Sequence, residues 1–202
     1  MAQNTSIVQW GIAARARKGE PDSGERHLVM EGSAGVLIAV IAGVGHGSEA
    51  AATAEQAVQA LRKAAAGTNL IELINHCHQH LLGTGGSVIS MGLLNGQERS
   101  LSWLGVGNVE AAVLNKNRRK PARLLLRNGV VGRWLPILQA YTLSLEPGDL
   151  LVFTTDGVDN RFTDELQPAG DPQAVAERIV QDYGLQSDDV LALVVRYTGA
   201  PL

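Results

Sequence analysis

The sequence predicts an α+β fold: two mainly antiparallel β-sheets packed as a sandwich, with helices on the outside. Three observations carry this. The order of elements is strands, two adjacent helices, a block of strands, one helix, one strand, without the strict strand–helix alternation of a parallel sheet. Several strands, Val36 to Ala42 above all, are continuous apolar runs and need cover on both faces. Aromatic residues make up only 4% of the chain, so the core has to be built from Val, Leu, Ile and Ala.

Taken in order, Thr5 to Arg15 alternates loosely and predicts a first strand. Lys18 to Glu25 (KGEPDSGE) clusters glycine, proline and small polar residues and predicts a turn. Arg26 to Glu31 is a short strand, followed by the central strand Val36 to Ala42. Gly43-Val44-Gly45-His46-Gly47 is a glycine turn, and Ser48 is placed to cap the Ala-rich helix that follows, Ser48 to Ala66. Ala50, Ala54, Val58 and Leu61 form its apolar stripe. Gly67 stops it, and Thr68 or Asn69 caps a second helix reaching Leu82. Strands follow at Ser87 to Leu94, Ser100 to Val106, Glu110 to Asn115 and Ala122 to Arg127, with Asn95-Gly96 as a hairpin signal. Gly132 to Gln139 predicts loop and Ala140 to Leu145 a strand. Glu146-Pro147-Gly148-Asp149 turns the chain into the apolar run Leu150 to Thr155. Asp164 to Pro172 predicts loop, Gln173 to Tyr183 a helix and Val190 to Tyr197 a closing strand. No linker or repeat interrupts residues 1–202, which predicts one domain.

Composition narrows the classes. The 202 residues carry a formal net charge of -3, so no basic field advertises nucleic acid. Cys77 is the single cysteine, which excludes an intramolecular disulfide. No apolar segment is long enough to span a membrane, and the first ten residues lack the charged start and apolar run of a signal peptide. A soluble cytoplasmic protein is expected, with no nucleic-acid or membrane partner.

Carboxylates stand at the ends of apolar strands. Asp156 follows Leu151 to Thr155 and precedes Gly157, Asp188 and Asp189 precede Val190, and Glu25 lies at the Ser23-Gly24-Glu25 turn. Carboxylates at strand ends beside glycines suit hard cations. The plainer alternative for each is an ordinary turn or a solvated loop. The turn at Gly43 joins a strand to a helix N-terminus, where backbone N–H groups suit an anion.

Five stretches in this order resemble the PPM-type (protein phosphatase 2C-like) serine/threonine phosphatases, in the bacterial branch that includes SpoIIE and the stressosome phosphatase RsbX. They are SGERHLV at Ser23, AVIAGVGHG at Ala39, GVGNVEAAVL at Gly105, FTTDGVDN at Phe153 and SDDVLALVV at Ser187. The resemblance implies a β-sandwich flanked by helices with two Mn or Mg ions at one end. It also implies dephosphorylation by metal-activated water with no protein nucleophile. By motif, Asp156 and Asp188 look like ligands of the first metal. The Gly43 carbonyl would face the second, and Glu25 stands where the family has an acidic residue near it. His46 and Asp189 are candidates for contacts behind these ligands. The implied substrates are phosphorylated STAS-domain proteins of the stressosome.

Ala42 departs from the pattern. It occupies the place of the family's Asp, the carboxylate that bridges both metals, and a methyl group ligates nothing. At most one ion is expected to be well held, and the chain as it stands is expected to be inactive or impaired. Two accounts compete: a natural pseudophosphatase that keeps a binding surface, and an inactivating substitution in a protein otherwise equipped for catalysis. The intact Asp156, Asp188 and Gly43 turn favour the second.

Other features have plainer explanations. His76 and His80 are spaced i, i+4 as zinc ligands are, but lack a third ligand and predict an ordinary helix surface. Residues 115–122 (NKNRRKPA) are basic, either a solvated hairpin loop or a rim for an acidic phosphoprotein. Arg15, Arg17 and Lys18 are candidate phosphate contacts. Gly43, Gly45 and Gly47 do not complete a dinucleotide or Walker fingerprint.

Overall fold

The computed structural model describes residues 6–64, 69–115, 120–166 and 169–199. The predicted start of the first strand at Thr5, the first helix's end with its Gly67 stop, the Thr68 alternative cap and the centre of the basic stretch lie outside these residues.

Among the described residues, ten strands form two five-stranded, antiparallel sheets. The first sheet runs β1 (Val8–Arg15), β10 (Val190–Tyr197), β9 (Leu150–Thr154), β6 (Glu110–Leu114), β7 (Ala122–Arg123). The second runs β2 (Glu25–Gly32), β3 (Gly35–Gly43), β4 (Ser87–Asn95), β5 (Ser100–Val106), β8 (Tyr141–Ser144). The predicted α+β sandwich is the observed architecture.

Strand periodicity explains the layers. On β3, Val36, Ile38 and Val40 point into the sandwich against Phe153, Leu191 and Leu193 of the other sheet. The alternate residues Leu37, Ala39 and Ile41 point outward, under helices α1 (Gly47–Ala64) and α2 (Leu70–His80). On β9, Val152 faces outward against Val175 and Ile179 of α4 (Pro172–Tyr183). Both faces of both central strands are therefore dry, which is why their sequences are continuously apolar.

Local differences from the sequence reading have local causes. Ser48 lies inside the first turn of α1, which begins at Gly47. Asn69 caps α2, its side chain accepting from the Ile71 and Glu72 amides at 2.9 and 3.4 Å. The expected strand Ala122 to Arg127 forms strand pairs with β6 over Ala122–Arg123, and the Leu124 amide adds one bond to the Ala111 carbonyl at 2.8 Å. The chain then crosses between sheets, and Arg127 bridges Val106 of β5. Apolar alternation does not distinguish one partner strand from two. A single helical turn, α3 (Phe162–Glu165), runs into the start of the loop expected from Asp164, and α4, capped by Asp171, begins at Pro172, one residue earlier than predicted.

Gly11 sets how closely α4 approaches β1. A Cβ there would stand 2.3 Å from the Gln173 backbone. Gly11→Ala should push α4 off the sheet and cost about 1–3 kcal/mol, as overpacked cores do. Urea unfolding checks this, and an unchanged midpoint would show that the helix shifts freely.

Candidate active site

Glu25, Ala42, Gly43, Asp156 and Asp188, the residues singled out in sequence, line one cleft of about 250 Å³ at one end of the sandwich. Asp189 and Asn108 line it as well, with Val44 and Val88 as apolar wall. No lysine or arginine is among its lining residues.

The β2–β3 register places Glu25 directly opposite Ala42, and the amide of Gly43 extends that ladder by donating to the Gly24 carbonyl at 2.9 Å. Gly43 itself is required by α1: a Cβ there would stand 2.1 Å from the Ala50 carbonyl. Gly157 has the same function on the other sheet, where a Cβ would stand 1.9 Å from the Asp189 carbonyl oxygen. The glycine after Asp156 thus lets the end of β9 lie against the start of β10 and brings Asp156 beside Asp188.

The carboxyl groups live in different environments. Asp189 is buried, with both oxygens occupied: Oδ1 accepts from the Arg17 amide at 2.8 Å and Oδ2 from the Gly24 amide at 2.7 Å. Its own amide donates to Asp188 Oδ1 at 2.9 Å. Glu25 is only 7% exposed, and its Oε2 has no hydrogen-bond partner. Burial pushes its carboxyl up to about 8, the Thr155 hydroxyl opposes this, and the charges of Asp189, Asp156 and Asp188 add to it. Asp156 is also raised above the usual carboxylate range, chiefly by burial and then by Asp188. Hydrogen bonds from its own amide, the Asn108 side chain and the Gly157 amide oppose that shift.

Other candidates fall outside the cleft lining. His46 Nδ1 pairs with Glu20 Oε1 at 2.9 Å instead of facing the cleft. Arg15 donates to the Leu185 carbonyl at 3.0 Å, and neither Arg17 nor Lys18 lines the cleft. His76 and His80 are exposed, while His78 Nδ1 accepts from the Gly132 amide at 3.0 Å. A nucleotide at the glycine turn would meet the acidic cleft beside it, which opposes phosphate binding without a cation. Sequence reading assigned no role to Asn108, whose Nδ2 donates to Asp156 Oδ2 at 2.7 Å. Its only signal was its place in GVGNVE, inside one of the matching stretches.

The donor chemistry fits a hard divalent cation and does not fit a bridged pair. Burial, with neighbouring carboxylates adding to it, makes Glu25 and Asp156 hold protons more tightly than ordinary carboxyls, and Glu25 Oε2 is buried without a partner. Position 42 offers only a methyl group, and among the described residues no three His, Cys, Asp or Glu side chains are grouped to hold a metal ion.

This fold with an acidic cleft at the end of the sandwich defines a PPM-type phosphatase of the SpoIIE and Rsb branch. The chain belongs to the SpoIIE family: the model for Stage II sporulation protein E matches residues 32–198. Among solved structures, a chain from work on the bacterial stressosome, described as a modular system adapted to control secondary messenger signalling, is 28% identical with a TM-score of 0.85. That alignment covers 94% of this chain and 99% of that one. RsbX in complex with magnesium superposes with a TM-score of 0.83 at 18% identity, covering 94% of each chain. The phosphatase domain of SpoIIE from Bacillus subtilis, solved with a fragment of its regulatory domain, gives 0.79 at 23% identity, covering 94% of this chain and 63% of that one. These last two show the fold. No curated protein sequence matches. PP2C-like phosphatases generally use manganese or magnesium, and no helix among the described residues is long and apolar enough to cross a membrane.

The raised Glu25 carboxyl makes the stability of the metal-free protein depend on pH. The folded state binds this proton more tightly than the unfolded state, so the contribution is complete below about pH 4.5 and is lost as pH rises through about 8. Each tenfold difference in proton affinity is worth about 1.4 kcal/mol. Glu25→Gln should flatten the loss of stability between pH 5 and 9, followed by urea unfolding in chelator. An equal slope in both proteins would show that Glu25 is solvated or paired.

Proposed function

We propose that residues 1–202 act as one metal-dependent phosphoprotein phosphatase domain, and that Ala42 leaves this chain inactive or impaired. The observation that carries the reading is the meeting of Glu25, Gly43, Asp156 and Asp188 in one cleft that Ala42 also lines. Asp156 and Asp188 would hold one Mn or Mg ion, and the Gly43 carbonyl with Glu25 would face a second. When bound, such ions supply an activated water and neutralise phosphoryl charge. The chain's own part is to orient carboxylates, through the Asp189 bonds and the two close glycine contacts, and to leave room for a phosphorylated side chain. The cleft presents no cation of its own to a phosphate, so recognition here needs bound metal.

Substrates of this reading are phosphorylated STAS-domain proteins of the stressosome, in the cytoplasm. Support comes from the related chain of the stressosome study and from the RsbX fold. A second reading, a non-catalytic module binding through the same cleft, is favoured by Ala42 and by the lack of a three-ligand cluster among the described residues.

Ala42→Asp separates the two. Restoring the bridging carboxylate should raise Mn- or Mg-dependent hydrolysis of a phosphorylated STAS-domain protein by orders of magnitude, measured beside the unchanged chain over a metal titration. Asp156→Asn or Asp188→Asn added to it should abolish that gain without unfolding the protein. Equal activity with and without Asp at 42 would overturn the assignment of that position and leave the binding module.

A further inference from the structure

The β5–β6 turn is anchored on both sides of Asn108. Gly107 has φ +102°, and its amide donates to the Arg127 carbonyl at 2.8 Å. A Cβ on Gly107 would stand 2.2 Å from the Val88 side chain, so the turn is pressed against β4. On the other side Val109 is buried, and its carbonyl accepts from Ser90 Oγ at 2.5 Å. Asn108 is itself exposed at the cleft mouth, and its carboxamide reaches Asp156 across 48 residues of sequence.

We propose that Asn108 is a positioning residue for Asp156. This rests on the reading of the cleft as a metal-dependent phosphatase centre. A carboxylate is acceptor-only, so the donor is the Asn108 amide nitrogen. The bond to Oδ2 ties one end of the Asp156 carboxylate to the anchored β5–β6 turn and so orients that side chain at the cleft. An amide does this without cancelling charge, whereas a lysine in its place would neutralise the carboxylate that a metal needs. Glycine at 107 and the buried Val109 give the amide a fixed origin, so the orientation is built into the turn.

The test compares Ala42→Asp with the double variant Ala42→Asp, Asn108→Ala, reading Mn²⁺ affinity by calorimetry and metal-free Tm. Loss of a hydrogen-bonding partner behind a ligand weakens metal binding about 10–100-fold. The expected result is a Kd for Mn²⁺ raised at least about tenfold within that range, with metal-free Tm unchanged because the residue is exposed. An unchanged Kd overturns the proposal, whether or not Tm falls, since a merely structural residue would move Tm alone. If Ala42→Asp itself takes up no Mn²⁺, the reading of the cleft fails and the inference falls with it. Mn²⁺ uptake by Ala42→Asp that Asn108→Ala leaves intact overturns the inference alone.

Discussion

The carboxylate of Asp189 holds the two sheets in register at the end where the cleft opens. It stands one residue ahead of β10 in the first sheet and accepts the amides of Arg17 and Gly24, at the two ends of the loop leading into β2 of the second. Hydrogen bonds to a charged group contribute about 1.5–3 kcal/mol each, so two of them on a buried carboxylate outweigh most single contacts in a domain of this size. Gly24 is thereby fixed, and its own carbonyl accepts the Gly43 amide. Glu25, the next residue, has no freedom to leave the cleft. One acidic side chain therefore determines where another is placed.

Chemically identical groups have different capacities here because their surroundings differ. Asp189 has each oxygen engaged by a backbone amide, which ties it to the loop before β2. Glu25 is buried with one oxygen unpartnered, so it keeps its proton well above the usual carboxylate range until positive charge arrives. Asp156 is partly satisfied by Asn108 and partly open, which suits a ligand that exchanges water. The environment sorts these carboxyls into a structural tie, a proton-holding site and the proposed ligand, as it does in enzymes that run acid and base chemistry with one residue type.

Much of this was legible in sequence because strand ends are. Apolar runs mark where a strand is buried on both faces, and a carboxylate beside glycine marks where it ends. Glu25, Gly43, Asp156 and Asp188 could thus be placed without coordinates. The function of Asn108 depends on a contact across 48 residues, and the orientation of His46 on a pairing with Glu20 in another loop. Periodicity reports the face a residue occupies and says nothing of which side chain it meets. The crossing of residues 124–127 between sheets was hidden for a related reason, since Leu124, Leu125 and Leu126 form an unbroken apolar run that fits either strand.

Ala42 stands at the cleft position that the fold uses least. Asp188 accepts from the Asp189 amide, Asp189 ties the β1–β2 loop, and Asp156 meets Asn108 and lies at the close Gly157 contact. Asp189, buried and bonded to two backbone amides, would be costly to lose even in a protein that performs no chemistry. Ala42 continues the inner face of β3 after Val36, Ile38 and Val40, and a methyl group there packs as well as the strand requires. A carboxylate in its place would face Glu25 across the ladder, adding like charge to a cleft already short of cations. Without metal, the fold is more comfortable with alanine, in the usual tension between stability and a charged active site. The survival of Asp189 follows from its structural work, so it is weak support for retained catalysis. What the intact motifs record first is the architecture of the sandwich end, and the proposed reaction would need a carboxylate at the one cleft position where this architecture needs none.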